Sequence, residues 1–219
     1  MHYNRLDHSV FHIVIFDMDG TLTDSAVLTM AACSKFAPGL GLPVPSREAV
    51  KRATGYPNPE FYYILYPDFS REAVGTLGKL VEQEEHCILR AVRDTLLFKG
   101  CRELLADLRK QQVRLCIAST GDNGHVHSIL RETGIIDLFD TISCGLPDKT
   151  ETLRELVRNR DKNGFVMVGD MKKDYEAARA NGILSVGACY GYCEKELSDF
   201  DLYIDTPQEL LRILKFKGE

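Results

Sequence analysis

The chain has 219 residues, 44% hydrophobic and 27% charged, with 27 basic against 32 acidic side chains and a formal net charge of −5. Such a chain can bury a real core, which excludes a disordered or fibrous protein, and its length suits one domain carrying a sizeable insertion. The mildly acidic balance argues against a general nucleic-acid or membrane-surface binder, whose phosphate contacts need basic stripes.

In chain order, a first strand is expected over Phe11–Phe16, an apolar run that ends at Asp17. From Asp24 to about Thr95 the pattern is helical, over Ser25–Phe36, Arg47–Thr54, Pro59–Tyr66 and Arg71–Arg93. Pro38-Gly39, Gly41 to Pro45 and Gly55-Tyr56-Pro57 punctuate these segments. A helix over Cys101–Gln111 carries Leu104, Leu105 and Leu108 on one face, and the strand Val113–Ala118 then runs into Ser119. Helix Asn123–Glu132 stops at Gly134, and strand Thr141–Cys144 leads toward Lys149. Strand Phe165–Gly169 ends at Asp170, and helix Lys172–Ala180 is closed by Asn181-Gly182. Strands Leu184–Cys189 and Leu202–Ile204 follow. The last helix opens at Thr206-Pro207-Gln208-Glu209, which reads as a capping box with proline in the first turn.

Apolar strands alternating with helices predict an α/β fold with a doubly wound, Rossmann-like, mostly parallel sheet. About ninety residues separate Asp17 from Val113, where an ordinary crossover needs about a dozen. The expected organisation is therefore an α/β core over 1–23 and 96–219, with a helical cap inserted at 24–95.

Ligands of an open α/β sheet bind beyond the carboxyl ends of its strands. The polar residues expected there are Asp17, Asp19, Ser119, Thr120, Lys149, Asp170 and Asp174. Carboxylates on neighbouring strand ends repel unless a cation sits among them, and hard oxygen donors beside a phosphate suit Mg²⁺. A lysine and a hydroxyl at the same rim offer donors to phosphoryl oxygens. The set reads as a phosphoryl-transfer site.

Asp17-Met18-Asp19-Gly20-Thr21, Ser119, Lys149, and Val168-Gly169-Asp170 with Asp174 resemble, in order, the four motifs of the haloacid dehalogenase superfamily. The likeness extends to the helical insertion and points toward the phosphoglycolate-phosphatase-like and β-phosphoglucomutase-like members. It implies that Asp17 is a nucleophile forming an aspartyl phosphate and that Asp19 is a general acid and base. It further implies that Ser119 and Lys149 hold the phosphoryl oxygens. Mg²⁺ would be bound by the side chains of Asp17 and Asp170 and the carbonyl of Asp19, with Asp174 as a water-mediated ligand or an anchor for the lysine.

Asp19 favours a phosphatase, because relatives that dehalogenate or cleave phosphonates resemble this chain yet lack that acid. The expected substrate is a small phosphomonoester such as a phosphoglycolate-like ester, a sugar phosphate or a nucleotide. A sugar phosphomutase and a non-catalytic phosphate-metabolite binder are the alternatives, and Thr150, Met171 and Lys99 depart from residues common in the family. Specificity is assigned to the cap, where Arg52, Tyr56 and Tyr62, with Thr120 from the core, are expected to meet substrate. Between Asp24 and Asp94 stand 8 basic and 9 acidic residues, so no strong field favours a polyanion. Lys172 and Lys173 are expected to matter much less than Lys149.

No run is long and apolar enough to span a bilayer; the longest without charge, Ala180 to Cys193, is short and glycine-containing. Met1 to Ser9 carries no apolar block, so no signal peptide is expected. Seven scattered cysteines without a Cys-x-x-Cys pair fit a reducing, cytoplasmic setting. His125 and His127 stand two apart in a spacing that suits no zinc site. A monomer or weak homodimer is expected, with no nucleic-acid or membrane partner.

Overall fold

The computed structural model describes residues 10–56, 58–146, 148–195 and 198–217. The leader reading at Met1 to Ser9, and Pro57 in the cap loop, lie outside the described residues. Strands β2 (Ile13–Phe16), β3 (Arg114–Ala118), β4 (Thr141–Ser143), β5 (Phe165–Gly169), β6 (Leu184–Ala188) and β7 (Leu202–Ile204) form one sheet ordered β4-β3-β2-β5-β6-β7. Every pairing is parallel, with Ile15 opposite both Cys116 and Met167. All residues of β2 and β5 are buried, as strands covered on both faces must be. Ile13 and Ile15 join a cluster with Leu153, Val157, Ala177 and Ala178, while Val14 and Phe16 pack with Leu104, Leu108, Val126 and Ile129. This two-residue alternation distributes the covering helices. Helices α5 (Cys101–Lys110) and α6 (Asn123–Glu132) lie on one face, α7 (Lys149–Val157) and α8 (Lys172–Asn181) on the other.

The chain departs from sequence expectation at both ends. The run expected as one strand is broken at His12, so that β1 (Val10–Phe11) pairs with β8 (Lys215–Phe216) in a separate parallel ladder. His12 makes the break: its N–H donates to the Gly164 carbonyl at 2.9 Å, and its Nδ1 lies 2.6 Å from the Lys217 carbonyl. The last helix also opens differently. Pro207–Glu209 is a 3₁₀ turn leading into a short α9 (Leu210–Ile213), and Thr206 supplies no side-chain cap. Glu209 instead reaches back one residue further, accepting the Asp205 N–H at 2.7 Å.

The insertion holds α1 (Ser25–Phe36), α2 (Arg47–Ala53), α3 (Glu60–Leu65) and α4 (Arg71–Leu96). Ser46 and Ser70 accept the N–H groups of Ala49 and Ala73 at 3.2 Å, which caps α2 and α4. Cys33, Leu42, Val50, Tyr62, Val74 and Leu77 form a cluster within the insertion, while Leu28, Ala32, Ile88 and Leu89 of α1 and α4 join the sheet cluster that holds Val14 and Phe16. Entry and exit run side by side: Asp24 N–H donates to Leu96 at 2.7 Å and Phe98 N–H to Leu22 at 3.0 Å. Two short connections therefore carry a 26-residue helix and its partners above the sheet. Among the described residues, no helix is long and apolar enough to cross a membrane.

Candidate active site

Strand order concentrates the polar residues. The chain leaves central β2, builds β3 and β4 on one side, then crosses to β5 on the other. That reversal opens a crevice at the carboxyl edge. Asp17 follows β2, Ser119 follows β3, Asp170 follows β5, and Lys149 opens α7 beyond β4. The turn after Asp17 requires glycine at position 20, where φ is +84° and an added Cβ would sit 2.5 Å from Asp170 Oδ2. Gly191 closes on the same turn: its Cβ would lie 1.8 Å from the Gly20 carbonyl, which accepts the Tyr192 N–H.

Lys149 is 5% exposed, and its Nζ lies 2.7 Å from Asp17 Oδ1 and 2.6 Å from Asp174 Oδ1. Burial works against its charge, but Asp17 and Asp174 outweigh that and push the ammonium above the ordinary lysine range. The second oxygen of Asp174 accepts the N–H groups of Asp170 at 3.1 Å and Met171 at 2.9 Å. Both oxygens are thus engaged, one by the lysine and one by the first turn of α8. Asp170 differs. Thr21 Oγ1 donates to its Oδ1 at 2.6 Å, while Oδ2 is buried without a hydrogen-bond partner.

Asp17, Asp170 and Asp174 each bring a carboxylate oxygen within 4.8 Å of the others. Burial, opposed by Lys149, raises Asp17 to about 7, and burial with the Asp17 and Asp174 charges holds Asp170 well above the carboxylate range. One ammonium does not balance this cluster. The orphaned Asp170 oxygen facing a buried Asp17 is the donor arrangement a divalent cation fits.

Asp17, Asp19, Ser119, Thr120 and Lys149 line a cavity of about 20 Å³, closed from the insertion side by Thr54 and Gly55. Ser119 Oγ accepts the Gly121 N–H at 3.1 Å. Thr23 Oγ1 donates to Asp19 at 3.3 Å, and burial raises the Asp19 carboxyl despite His125 and Lys149 nearby. Asp19 also lines a second cavity of about 570 Å³ between the insertion and the core. Tyr56 and Tyr62 line this larger space with Thr120; Arg52, in the last turn of α2, is exposed and lines neither cavity.

Glu85 and Ser25 escaped the sequence reading, and Lys173 was expected only to matter less than Lys149. Lys173 lines the small cavity and donates to the Gly55 carbonyl at 2.9 Å, tying α8 to the insertion. Lys172 instead points away, its side chain 72% exposed and 3.5 Å from Glu176. Glu85 on α4 pairs with His125 Nδ1 on α6, a second tie across the larger cavity. Ser25 Oγ lies buried beside Asp19 without a well-formed hydrogen bond. No local spacing in the sequence announces any of these contacts.

A parallel sheet with an acidic rim and a helical insertion is an architecture this chain shares with known proteins. A family model described as haloacid dehalogenase-like hydrolase matches residues 14–188, and the chain belongs to that family of hydrolases. A phosphoglycolate phosphatase of Synechococcus elongatus is 29% identical over 214 residues, covering 91% of this chain and 95% of its own. The tyrosine-protein kinase PtkA of Mycobacterium tuberculosis is 31% identical over 194 residues, covering 85% of this chain and 65% of its own. Among solved structures, a predicted phosphoglycolate phosphatase of Haemophilus somnus superposes with a TM-score of 0.77 at 23% identity, covering 93% of this chain and 97% of that one. A haloacid dehalogenase-like hydrolase of Streptococcus pneumoniae gives 0.75 at 21% identity, with 92% and 97% covered. These two likenesses establish the fold.

Lys149→Ala is expected to lower turnover by about 10²–10³-fold, the usual loss for one preorganised electrostatic contact, whereas Lys172→Ala stays near wild type. Steady-state hydrolysis of an activated phosphate ester by the folded variants checks this. The Glu85–His125 tie carries a pH signature. Burial opposes the imidazolium, but the Glu85 hydrogen bond and the Asp19, Glu85 and Asp122 charges overcome it and raise His125 from 6.5 to about 9. A raised pKa stabilises fully below about 6.5 and loses its effect as pH climbs through about 9. The Tm difference between wild type and Glu85→Gln should therefore be largest near pH 6 and shrink toward pH 10. A difference independent of pH contradicts the pairing.

Proposed function

We propose that this chain is a Mg²⁺-dependent phosphatase that hydrolyses a small phosphomonoester through an aspartyl phosphate on Asp17. The observation that carries the reading is the small cavity in which Asp17 Oδ1 lies 2.7 Å from Lys149 Nζ, with Asp19 and Ser119 on the same walls. The relatives named phosphoglycolate phosphatase support the reaction class.

In this mechanism Asp17 attacks phosphorus, and the bond to the leaving oxygen breaks as Asp19 delivers a proton to it. The raised Asp19 carboxyl suits a group that must start protonated. Asp19 then takes a proton from water as that water attacks the phosphoenzyme, releasing phosphate and restoring Asp17. Lys149 and Ser119 hold the phosphoryl oxygens, and Thr120 lies on the same wall. The side chains of Asp17 and Asp170 and the carbonyl of Asp19 would hold Mg²⁺, which supplies positive charge against the carboxylates and phosphoryl oxygens. Asp174 serves this site through Lys149 and the backbone of Asp170. Residues 24–95 act as the cap, with Thr54 and Gly55 covering the reacting group and excluding water.

The experiment is hydrolysis of p-nitrophenyl phosphate, with release of inorganic phosphate as the readout. Activity should vanish in excess EDTA and return with Mg²⁺, and folded Asp17→Asn should fall to background. Full activity in chelator, or in folded Asp17→Asn, would overturn the metal or the nucleophile assignment respectively. Asp19→Asn should slow the phosphorylation burst of an alkyl phosphate by about 10²–10⁴-fold and that of p-nitrophenyl phosphate far less, since p-nitrophenolate leaves without a proton. Equal losses in both bursts would make Asp19 structural.

A further inference from the structure

The larger cavity, which opens from Asp19, determines what leaves with the protonated oxygen, and its reading rests on the phosphatase proposal above. At about 570 Å³ it has room for an alcohol of several carbons beyond the phosphoryl group. Its charged lining is one-sided. Glu82 and Glu85 come from α4, Asp122 precedes α6, and Asp19 stands at the mouth. Asp19 starts protonated in the proposed mechanism and Glu85 is paired with His125, which leaves the charges of Glu82 and Asp122, both exposed residues at the cavity wall; among the described residues no lysine or arginine lines the space.

His125 has no charge to spare, because its imidazole already pairs with Glu85. The positive end of α6 is occupied as well, since Asp122 Oδ1 accepts the His125 N–H at 2.9 Å. Lys149 and Lys173 line the smaller cavity instead, and Lys149 is bound between Asp17 and Asp174. What the larger space does offer is neutral polarity. Ser25 Oγ, in a residue 8% exposed, lies beside Asp19 and Tyr192 without a well-formed hydrogen bond and lines this cavity with Thr29 and Asn58. A buried hydroxyl left without a well-formed hydrogen bond is satisfied by a ligand that brings one.

We propose that the phosphoryl group is the substrate's only anion: the leaving group is a neutral, hydroxyl-bearing alcohol, and this chamber rejects a carboxylate or a second phosphate. A like charge placed among unmatched carboxylates costs affinity in a partly enclosed space, and building that repulsion is how a site excludes a competitor. The 29%-identical phosphoglycolate phosphatase is named for an ester whose leaving group carries a carboxylate, so specificity here diverges from that relative's name.

A matched pair of esters tests this. Glycerol 3-phosphate and 3-phosphoglycerate share the reacting phosphoryl group and differ only in a hydroxymethyl against a carboxylate. Wild type should favour glycerol 3-phosphate in kcat/KM by about tenfold or more at moderate salt, with 2-phosphoglycolate similarly poor. Glu82→Lys should narrow that ratio by raising the value for 3-phosphoglycerate, and Glu82→Gln should do so to a smaller degree. Thermal stabilisation of the Asp17→Asn protein by each ester, in Mg²⁺, reads the same preference without turnover. Hydrolysis of p-nitrophenyl phosphate alongside an equal or better rate on 3-phosphoglycerate overturns this inference and leaves the phosphatase reading intact. If no ester is hydrolysed, the phosphatase reading fails, and equal stabilisation by the two esters then overturns the charge preference as well.

Discussion

A single buried ammonium organises the rim of this protein. Lys149 stands between Asp17 and Asp174 with almost no contact with solvent. Charges taken out of water cost several kcal/mol each unless partners replace the hydration, so each of these groups depends on the others being placed. The replacement is thorough for Asp174, which receives the lysine and two backbone N–H groups. It is incomplete for Asp170, which keeps one buried oxygen without a donor. This asymmetry separates two carboxylates only four residues apart: one finishes the frame of the site, and the other keeps an unpartnered oxygen beside Asp17.

The same frame sets how tightly the loops must fit. Gly20 leaves room for the Asp170 carboxylate, Gly169 leaves room for Asp174, and Gly191 passes against the Gly20 carbonyl. Tyr192 then links this packed turn to the base of the insertion, donating from its hydroxyl to Asp24 and accepting the Ala26 N–H, both at 2.8 Å. Asp24 also pairs with Arg47 of α2. The residues that shape the turn after Asp17 thus also brace the joint from which the insertion springs. Position of the insertion and geometry of the turn are mechanically connected.

The insertion meets the core through apolar as well as polar contacts: Leu28, Ala32, Ile88 and Leu89 belong to the cluster that also holds Val126 and Ile129. Lys173 meets the Gly55 carbonyl, and Glu85 meets His125. The insertion keeps its own apolar interior around Tyr62, Val74 and Leu77. Moving the insertion as a whole would therefore disturb apolar packing along α1 and α4 as well as the polar ties.

The amino-acid sequence by itself determined the parallel strands, the acidic and basic residues at their ends, and the helical nature of the insertion. Burial on both faces makes β2 and β5 continuous apolar runs, so Asp17 and Asp170 stand out as the first charges after them. Spacing along one element is a local property and reads directly. Only the tertiary structure decided that β1 leaves the main sheet for β8, that Arg52 lines neither cavity while Lys173 reaches the Gly55 carbonyl, and that Asp174 is fully engaged. It alone joined Glu85 to His125 and Lys173 to Gly55, pairs 40 and 118 residues apart in the chain. Such contacts depend on where rigid elements come to rest after their apolar faces are buried, and no periodicity within either partner encodes the distance between them.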